Sequence, residues 1–346
     1  MDHTSPAPCP TSPLRIMLVG CGGFAGYHAR RLAECADVSL VACVDLSQPI
    51  VAAFMSKHIP ALTPVPAIET NLAAALAKHR PNAVVVATPH TLHFAQAMAA
   101  LEADCHVFVE KPMVTSSRDA AALAAAVERA GKVLVVGYNT SCTPEFDYLR
   151  RVIRNPDGPI GLGRLQLVTG SVSQNWMHWT TGSWRQNPAL SGGGMTYDTG
   201  AHMLNSLCWS VDSRVKQVFA MVDSLDTPVD INSAISIRFE NGVMATLAIS
   251  GNCPSESSRM TYLFTGGRIE IDGWYGGWIE VHNAYGRVKY PKVNTDLRGQ
   301  TGLDNFIDAV LGRDTPRTTA KYGVIQSELM DMVYESAITG AAISRT

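Results

Sequence analysis

Apolar residues follow two different rhythms along this chain. Up to about residue 140, short predominantly apolar runs (residues 16–19, 38–44, 83–87, 106–109 and 133–136) alternate with longer stretches of mixed polarity (24–36, 91–103 and 116–130). Runs of that length suit strands buried on both faces. The stretches between them suit helices, the last closed by Gly131 as a C-cap. This alternation predicts an α/β unit with a parallel, doubly wound sheet, in which ligands bind beyond the C-terminal strand ends. Gly20, Asp45, Thr88, Glu110 and Gly137 all fall at such ends.

The rhythm changes after Arg154, where Asn155-Pro156-Asp157-Gly158-Pro159 makes a turn cluster. Strand-like segments follow at 165–172, 215–222, 234–239, 243–250, 260–265 and 268–272. Ile235, Ile237 and Phe239 alternate with polar residues, and Asn241-Gly242 is a hairpin signal between two strands. Short connections predict a large, mostly antiparallel open sheet. Residues 303–311 and 321–339 read as closing helices. The expected organisation is a dinucleotide-binding Rossmann domain over 14–140 and a substrate and oligomerisation domain over 141–346. The last helix is able to pack back on the first domain. Residues 1–13, rich in proline and small polar side chains, read as a flexible arm.

A chain of 346 residues accommodates two domains, and a net charge of −2 with scattered cations gives no footprint for nucleic acid or a membrane surface. No apolar stretch reaches the length of a bilayer span, and residues 1–13 lack the basic start and apolar core of a secretory signal. The eight cysteines show no paired metal-ligand spacing, so no metal is expected and a reduced, cytoplasmic setting fits.

The first candidate chemistry sits in Gly20-Cys21-Gly22-Gly23-Phe24-Ala25, between an apolar strand and a helix. Gly20 makes the tight turn, Gly22 and Gly23 let the backbone approach a pyrophosphate, and Ala25 allows close helix–strand packing. Asp45, at the end of the second strand, can accept hydrogen bonds from a ribose diol. Its carboxylate repels a 2′-phosphate and its neighbours Leu46, Ser47, Gln48 and Pro49 offer no cation, which favours NAD over NADP. The alternative is a tight turn in an ordinary α/β sheet.

Glu110-Lys111-Pro112 leaves a strand tip in the predicted cofactor crevice. A lysine there can stabilise a developing alkoxide; equally, it can be a surface lysine. Pro112 can hold a cis turn. Further on, Gly192-Gly193-Gly194 precedes Asp198 and His202, which share one face if 196–209 is helical. A histidine beside a carboxylate suits a general base, against the alternative of a helix-surface ion pair. The glycine run argues for close backbone approach to a further group. The stretch 173–185 carries Trp176, Trp179 and the pair Trp184-Arg185 among neutral polar residues, a composition suited to sugars or to a core or interface loop.

Together the glycine turn, Thr88-Pro89 with His93, Glu110-Lys111-Pro112 and the GGG-x-x-x-D-x-G-x-H segment resemble the glucose–fructose oxidoreductase/inositol dehydrogenase/MocA family, over about residues 14–250 and more loosely to the C-terminus. The resemblance implies an NAD(P)-dependent oxidoreductase acting on a sugar, cyclitol or derivative, with Lys111, Asp198 and His202 as catalytic set. It brings Lys111 next to the other two; spacing does not. Candidate cofactor-binding residues are Gly20, Gly22, Gly23, Phe24, Ala25, Asp45, Thr88, Pro89, His90, His93, Glu110, Lys111, Asn139, Trp184 and Arg185. Candidate substrate residues are Lys111, Tyr138, Trp176, Trp179, Tyr197, Asp198 and His202. A homodimer or homotetramer is expected. Two rival classes share the pattern: a glycosidase- or lyase-type enzyme using bound NAD in transient redox, and a non-catalytic NAD- and sugar-sensing protein. The sequence departs from the family at Thr140-Ser141-Cys142, where arginine is frequent after Gly137-Tyr138-Asn139.

Overall fold

The structure, a computed structural model, describes residues 12–274, 276–284, 286–289 and 301–345, so the expected arm over 1–13 lies almost wholly outside the described residues. The chain divides into two compact units. The first takes the chain up to Val114, residues 118–137 and residues 302–320.

Within it run β1 (Leu14–Val19), α1 (Ala25–Glu34), β2 (Val38–Val44), α2 (Gln48–His58), β3 (Ala67–Glu69), α3 (Leu72–His79), β4 (Ala83–Val86), α4 (His93–Glu102), β5 (His106–Val109), α5 (Ser117–Ala130) and β6 (Leu134–Val136). The six strands are all parallel, in the order β3-β2-β1-β4-β5-β6. Strand order therefore reverses between β1 and β4, the place where such sheets open a crevice at their C-terminal ends. The apolar runs are explained by burial on both faces: Ile16, Leu18, Val84 and Val107 are wholly inaccessible.

The segment that returns to this unit is not the last helix. It is α10 (Gly302–Val310), whose buried Phe306 lies 5.9 Å from the Phe108 ring and whose Asp304 pairs with Arg31 of α1. The last helix belongs to the second unit, which takes residues 115–117, 138–301 and everything from Lys321 on. The expected division at 140/141 thus falls three residues late and misses the discontinuity.

The second unit contains α6 (Pro144–Arg154), β7 (Leu165–Ser173), α7 (Trp176–Trp179), α8 (Pro188–Ser191), α9 (Gly200–Val211), β8 (Val215–Asp223), β9 (Asn232–Phe239), β10 (Met244–Ser250), β11 (Ser257–Phe264), β12 (Gly267–Ile271), β13 (Ile279–Asn283), β14 (Gly286–Lys289), α11 (Ala320–Thr339) and β15 (Ile343–Ser344). Its nine strands run β14-β13-β12-β11-β7-β10-β9-β8-β15. All pairs are antiparallel except β7 with β10. Strands β9 and β10 alternate strictly, with Ile235, Ile237, Leu247 and Ile249 turned to the core and Ser236, Arg238, Thr246 and Ala248 turned out. Among the described residues no helix is long and apolar enough to cross a membrane.

Local chemistry fixes the helices. Thr143 caps α6 by accepting from the Phe146 N–H at 3.4 Å, Pro144 presets its first turn, and acids lead while arginines close. The C-terminus of α9 ends on Asp212 in a left-handed conformation. The Asp212 carboxylate accepts from Arg150 and Arg154 of α6, each at 3.0 Å, and from Lys321 at 2.6 Å and Tyr322 at 3.1 Å. The Arg150 guanidinium also lies 4.0 Å from the Trp209 ring centroid. Burial raises the Asp212 pKa, but the bonds from Lys321, Arg154 and Arg150 outweigh it and hold the carboxyl well below the usual carboxylate range.

A depressed folded pKa stabilises the protein above the unfolded value near ~3.9, and that stabilisation disappears as pH falls below it. Asp212→Asn should therefore lower stability by about 1–3 kcal/mol at neutral pH. The gap to the wild type should close on acidification below about pH 4, read by urea melts at a series of pH values.

Candidate active site

The dinucleotide-binding unit builds its site at the tips of β1 and β2. Gly20 has φ +94°, and a Cβ there would sit 2.6 Å from the Ala87 carbonyl oxygen, so glycine is required twice over. Its N–H donates to Val44 O at 2.8 Å. Gly22 and Gly23 are different: a Cβ on either would meet no protein atom within 4 Å. Nothing in the fold demands glycine there, so the open floor is available to a group from outside. That floor leads into the N-terminus of α1, where unsatisfied N–H groups favour an anion. The Asp45 carboxylate accepts from the Cys21 N–H and the Leu46 N–H, both at 2.6 Å, which stations it beside the glycine turn. Phe24 is half exposed and Ala25 is buried against the core. An open floor, a helix N-terminus and a fixed acid fit the pyrophosphate and ribose of a dinucleotide. The sequence reading missed Gly26, whose Cβ would run into the His58 ring.

At the β5 tip, the buried Glu110 accepts from His28 Nε2 at 2.6 Å and from the Lys111 N–H at 3.2 Å. A Cβ at Gly137 would sit 2.8 Å from the same carboxylate, which explains the glycine after β6. Glu110, expected among cofactor residues, fastens the strand tip to α1. His93 is wholly buried, with Nδ1 2.8 Å from Pro112 O and Nε2 2.9 Å from Thr88 O. Burial lowers its pKa, opposed by those carbonyls. His93 thereby links the residue after Lys111 to the β4 tip, where Thr88 Oγ1 donates to Gln96 at 2.6 Å. His90 is also buried, its ring 5.9 Å from that of His93. The Lys111–Pro112 bond is cis. A cavity of about 850 Å³ in this unit is lined by Arg80, Asn82, Asp104 and Lys132, at the opposite ends of the strands from the glycine turn.

In the second unit the glycine run has an internal explanation. The buried Asp230 carboxylate accepts from the Gly194 N–H at 2.6 Å, the Thr196 N–H at 2.8 Å and the Tyr334 hydroxyl at 2.6 Å. A Cβ on Gly194 would collide with the Asp230 carbonyl, and one on Gly193 with the Tyr197 ring and the Tyr334 hydroxyl. The close approach expected of this run is thus to the protein itself. Burial, and then Asp230, push the Tyr334 pKa far up, so it stays a donor. Tyr197, expected at the substrate, is 2% exposed; its hydroxyl donates to Thr115 O at 2.9 Å and its ring stacks on Tyr334. It is scaffold for the turn.

Asp198 is not on the helix. The helix α9 starts at Gly200, and Asp198 lies in the preceding turn with its N–H on Gly194 O. The Gly200 N–H reaches back five residues to Met195 O, a wide turn that leads from Asp198 into α9. Asp198 is 6% exposed, and its Oδ2 accepts from Trp176 Nε1 at 2.8 Å and Arg185 Nε at 2.9 Å. The Arg185 guanidinium lies 4.6 Å from the Trp184 ring. Every residue of α9 is buried except His202. Its ring stacks on Trp274 at 5.6 Å and meets the edge of Tyr138 at 5.7 Å. The buried Tyr138 hydroxyl accepts from Gln326 at 2.7 Å. Trp274, Gln326 and Asp230 carried no signal in the sequence: none stands in a motif. Trp179 is 55% exposed. Asn139 precedes a buried turn in which Thr140 Oγ1 accepts from Ser206 at 3.0 Å.

The six-stranded parallel sheet, the open glycine floor and the fixed acid of the first unit define a dinucleotide-binding protein of the Rossmann type. The family model described as "Oxidoreductase family, NAD-binding Rossmann fold" matches residues 14–138, and the GFO/IDH/MocA C-terminal domain matches residues 158–276. The chain belongs to the Gfo/Idh/MocA family. It is 25% identical to the D-glucoside 3-dehydrogenase of Escherichia coli (strain K12), over 96% of this chain and 98% of that one. It is 24% identical to D-xylose 1-dehydrogenase (NADP(+)) 2 of Haloferax volcanii, over 94% and 99%. Among solved structures, GenD2 from gentamicin A biosynthesis in complex with NAD superposes with a TM-score of 0.81 at 25% identity, covering 97% of each chain.

The two kinds of glycine should separate in experiment. Gly20→Ala should cost more than about 2 kcal/mol of stability through clash and φ strain. Gly22→Ala should leave the melting temperature nearly unchanged yet weaken NADH binding by about tenfold or more, by fluorescence titration.

Proposed function

We propose that the protein is an NAD-dependent dehydrogenase or reductase that moves a hydride between nicotinamide and a secondary alcohol or ketone of a sugar, cyclitol or sugar derivative. The observation that carries this reading is His202: the one incompletely buried residue of α9, gripped between aromatic rings, next to a turn that presents a buried carboxylate. The names of similar proteins, D-glucoside 3-dehydrogenase and D-xylose 1-dehydrogenase, supply the substrate class.

A bound nicotinamide supplies the hydride acceptor for oxidation and the donor for reduction. The chain supplies the rest. The His202 imidazole takes the hydroxyl proton as the C–H hydride leaves the same carbon, giving the ketone. The Lys111 ammonium stabilises the oxygen as negative charge grows on it. Asp198 stays ionised and favours the protonated form of His202. In reduction the proton returns to the oxygen. Trp179 and Trp184 offer apolar faces to sugar C–H groups. Asp45, already turned to the glycine loop, accepts from the adenosine ribose diol and disfavours a 2′-phosphate, so NAD binds in preference to NADP.

The outer face of the second sheet supports a homodimer or homotetramer. Phe219, Met221 and Met244 are exposed there beside the small residues Ala234, Ser236, Thr246 and Ala248. Exposed apolar side chains grouped on β8 and β10 are suited to cover by another copy of the chain.

Lys111→Ala and His202→Ala should each lower kcat by about 10²–10⁴-fold on the best substrate of a sugar and cyclitol panel, with NADH binding retained. In the same titrations NADH should bind at least about tenfold tighter than NADPH. Near-wild-type turnover in either variant overturns the mechanism, and equal affinities overturn the role given to Asp45. Light scattering at micromolar concentration should show a dimer or tetramer; a monomer removes the sheet-face assignment.

A further inference from the structure

Asp198 occupies an unusual electrostatic position. A carboxylate this deeply buried is costly unless donors replace the water it has lost. Two donors converge on a single oxygen, Oδ2: the Trp176 indole N–H at 2.8 Å and the Arg185 Nε–H at 2.9 Å. Neither can exchange a proton with the acid. The indole nitrogen is a donor only, and guanidinium does not deprotonate in proteins. A carboxylic acid proton on Oδ2 would meet two N–H groups head on. Two N–H donors on one oxygen, one of them from a guanidinium, favour the ionised carboxylate.

The donors are themselves held. Trp176 is 3% exposed, and its carbonyl accepts from both the N–H and the hydroxyl of Thr180, at 3.0 and 2.7 Å. The next residue, Met177, donates its N–H to Gly251 O at 2.7 Å and so fixes the segment to the end of β10. Arg185 donates its N–H to Ser183 Oγ at 3.3 Å and spreads its guanidinium over the Trp184 ring. The indole clamps the buried side of the carboxylate and the guanidinium the half-exposed side. Trp179, one turn on from Trp176, is by contrast turned to solvent.

We infer that Trp176 and Arg185 form a two-donor clamp that aims Asp198 and keeps it ionised, which makes Trp176 a positioning residue of the reaction and not a contact of the substrate. The inference rests on the oxidoreductase reading for its kinetic consequence; the clamp itself stands on geometry alone. The proton taken from the substrate is then carried by His202 with no change at Asp198.

The full chain labelled with ¹⁵N-tryptophan provides the test. The Trp176 indole resonance is identified by its loss in Trp176→Phe, a change that deletes one N–H and retains an aromatic ring. In Asp198→Asn the same resonance should move upfield and exchange with water at least about tenfold faster, since a neutral acceptor replaces a charged one. An indole signal indifferent to Asp198→Asn overturns the clamp, and it does so with no substrate present, whatever reaction the protein catalyses. With a turned-over substrate, Trp176→Phe should lower kcat by about tenfold to a hundredfold while KM for that substrate stays within about twofold. A rise in KM at constant kcat would return Trp176 to the substrate, and unchanged kinetics would remove its positioning role. If Trp176→Phe does not fold, Arg185→Gln takes its place, with kcat lowered and the indole signal retained as the expected result. Loss of that signal or unchanged kcat in Arg185→Gln counts against the clamp.

Discussion

The functional edge of the second unit depends on one buried anion. Asp230 sits in the core beside Gly194, and its carboxylate is satisfied by two backbone N–H groups of the glycine turn and by the Tyr334 phenol. Its own carbonyl accepts from the Met195 N–H at 2.8 Å, so the turn is held from both ends of one residue. A buried carboxylate with fewer donors would neutralise or expel itself; with these donors it becomes a rigid peg. The peg dictates glycine at 194, sets the turn that presents Asp198, and determines where α9 begins and hence where His202 emerges. The proposed catalytic residues are thus placed by a residue that lies beyond α9 and β8 in the chain and has no chemistry of its own to perform.

The dinucleotide-binding unit uses the same device twice. Asp45 is stationed by the backbone of Cys21 and Leu46, and Glu110 by His28 and the backbone of Lys111. In each case a carboxylate at a strand tip is secured by the N–H of the residue after it and by one donor from the β1–α1 segment. Charge-assisted hydrogen bonds of this sort are short and directional. They convert the loose ends of a parallel sheet, where ligands gather, into fixed geometry. The two acids differ in what is left over. Glu110 is enclosed and structural, whereas Asp45 borders the open floor beneath Gly22 and Gly23.

What was legible in the sequence was whatever is decided locally. Strands β2 and β5 were readable to the residue because each ends in a buried apolar run that stops at an acid, Asp45 or Glu110. The glycine turn was readable because its steric demand and its ligand demand occur within six residues. Asp198 and His202 stood out as residues, but the helix begins later than their four-residue spacing implied: α9 starts at Gly200, and Asp198 lies in the turn before it. The glycine run was noticed, yet its partner, Asp230, lies in an ordinary stretch between strands. Strands β13 to β15 escaped because the first two carry mixed polar residues and β15 is two residues long. The return of α10 to the first unit escaped because an amphipathic helix does not state which apolar surface it will cover.

That return has a consequence for how the protein is made. A ribosome releases the chain from its N-terminus at about 5–20 residues per second. Arg31 must wait for a partner, Asp304, that lies 273 residues downstream, so the first sheet remains without its covering helix for on the order of tens of seconds. The other unit is also finished late: the edge strand that pairs β8 arrives 127 residues after it. Neither unit can complete its fold until these late segments have been made. The nascent chain therefore carries two unfinished hydrophobic surfaces at once until those late segments emerge.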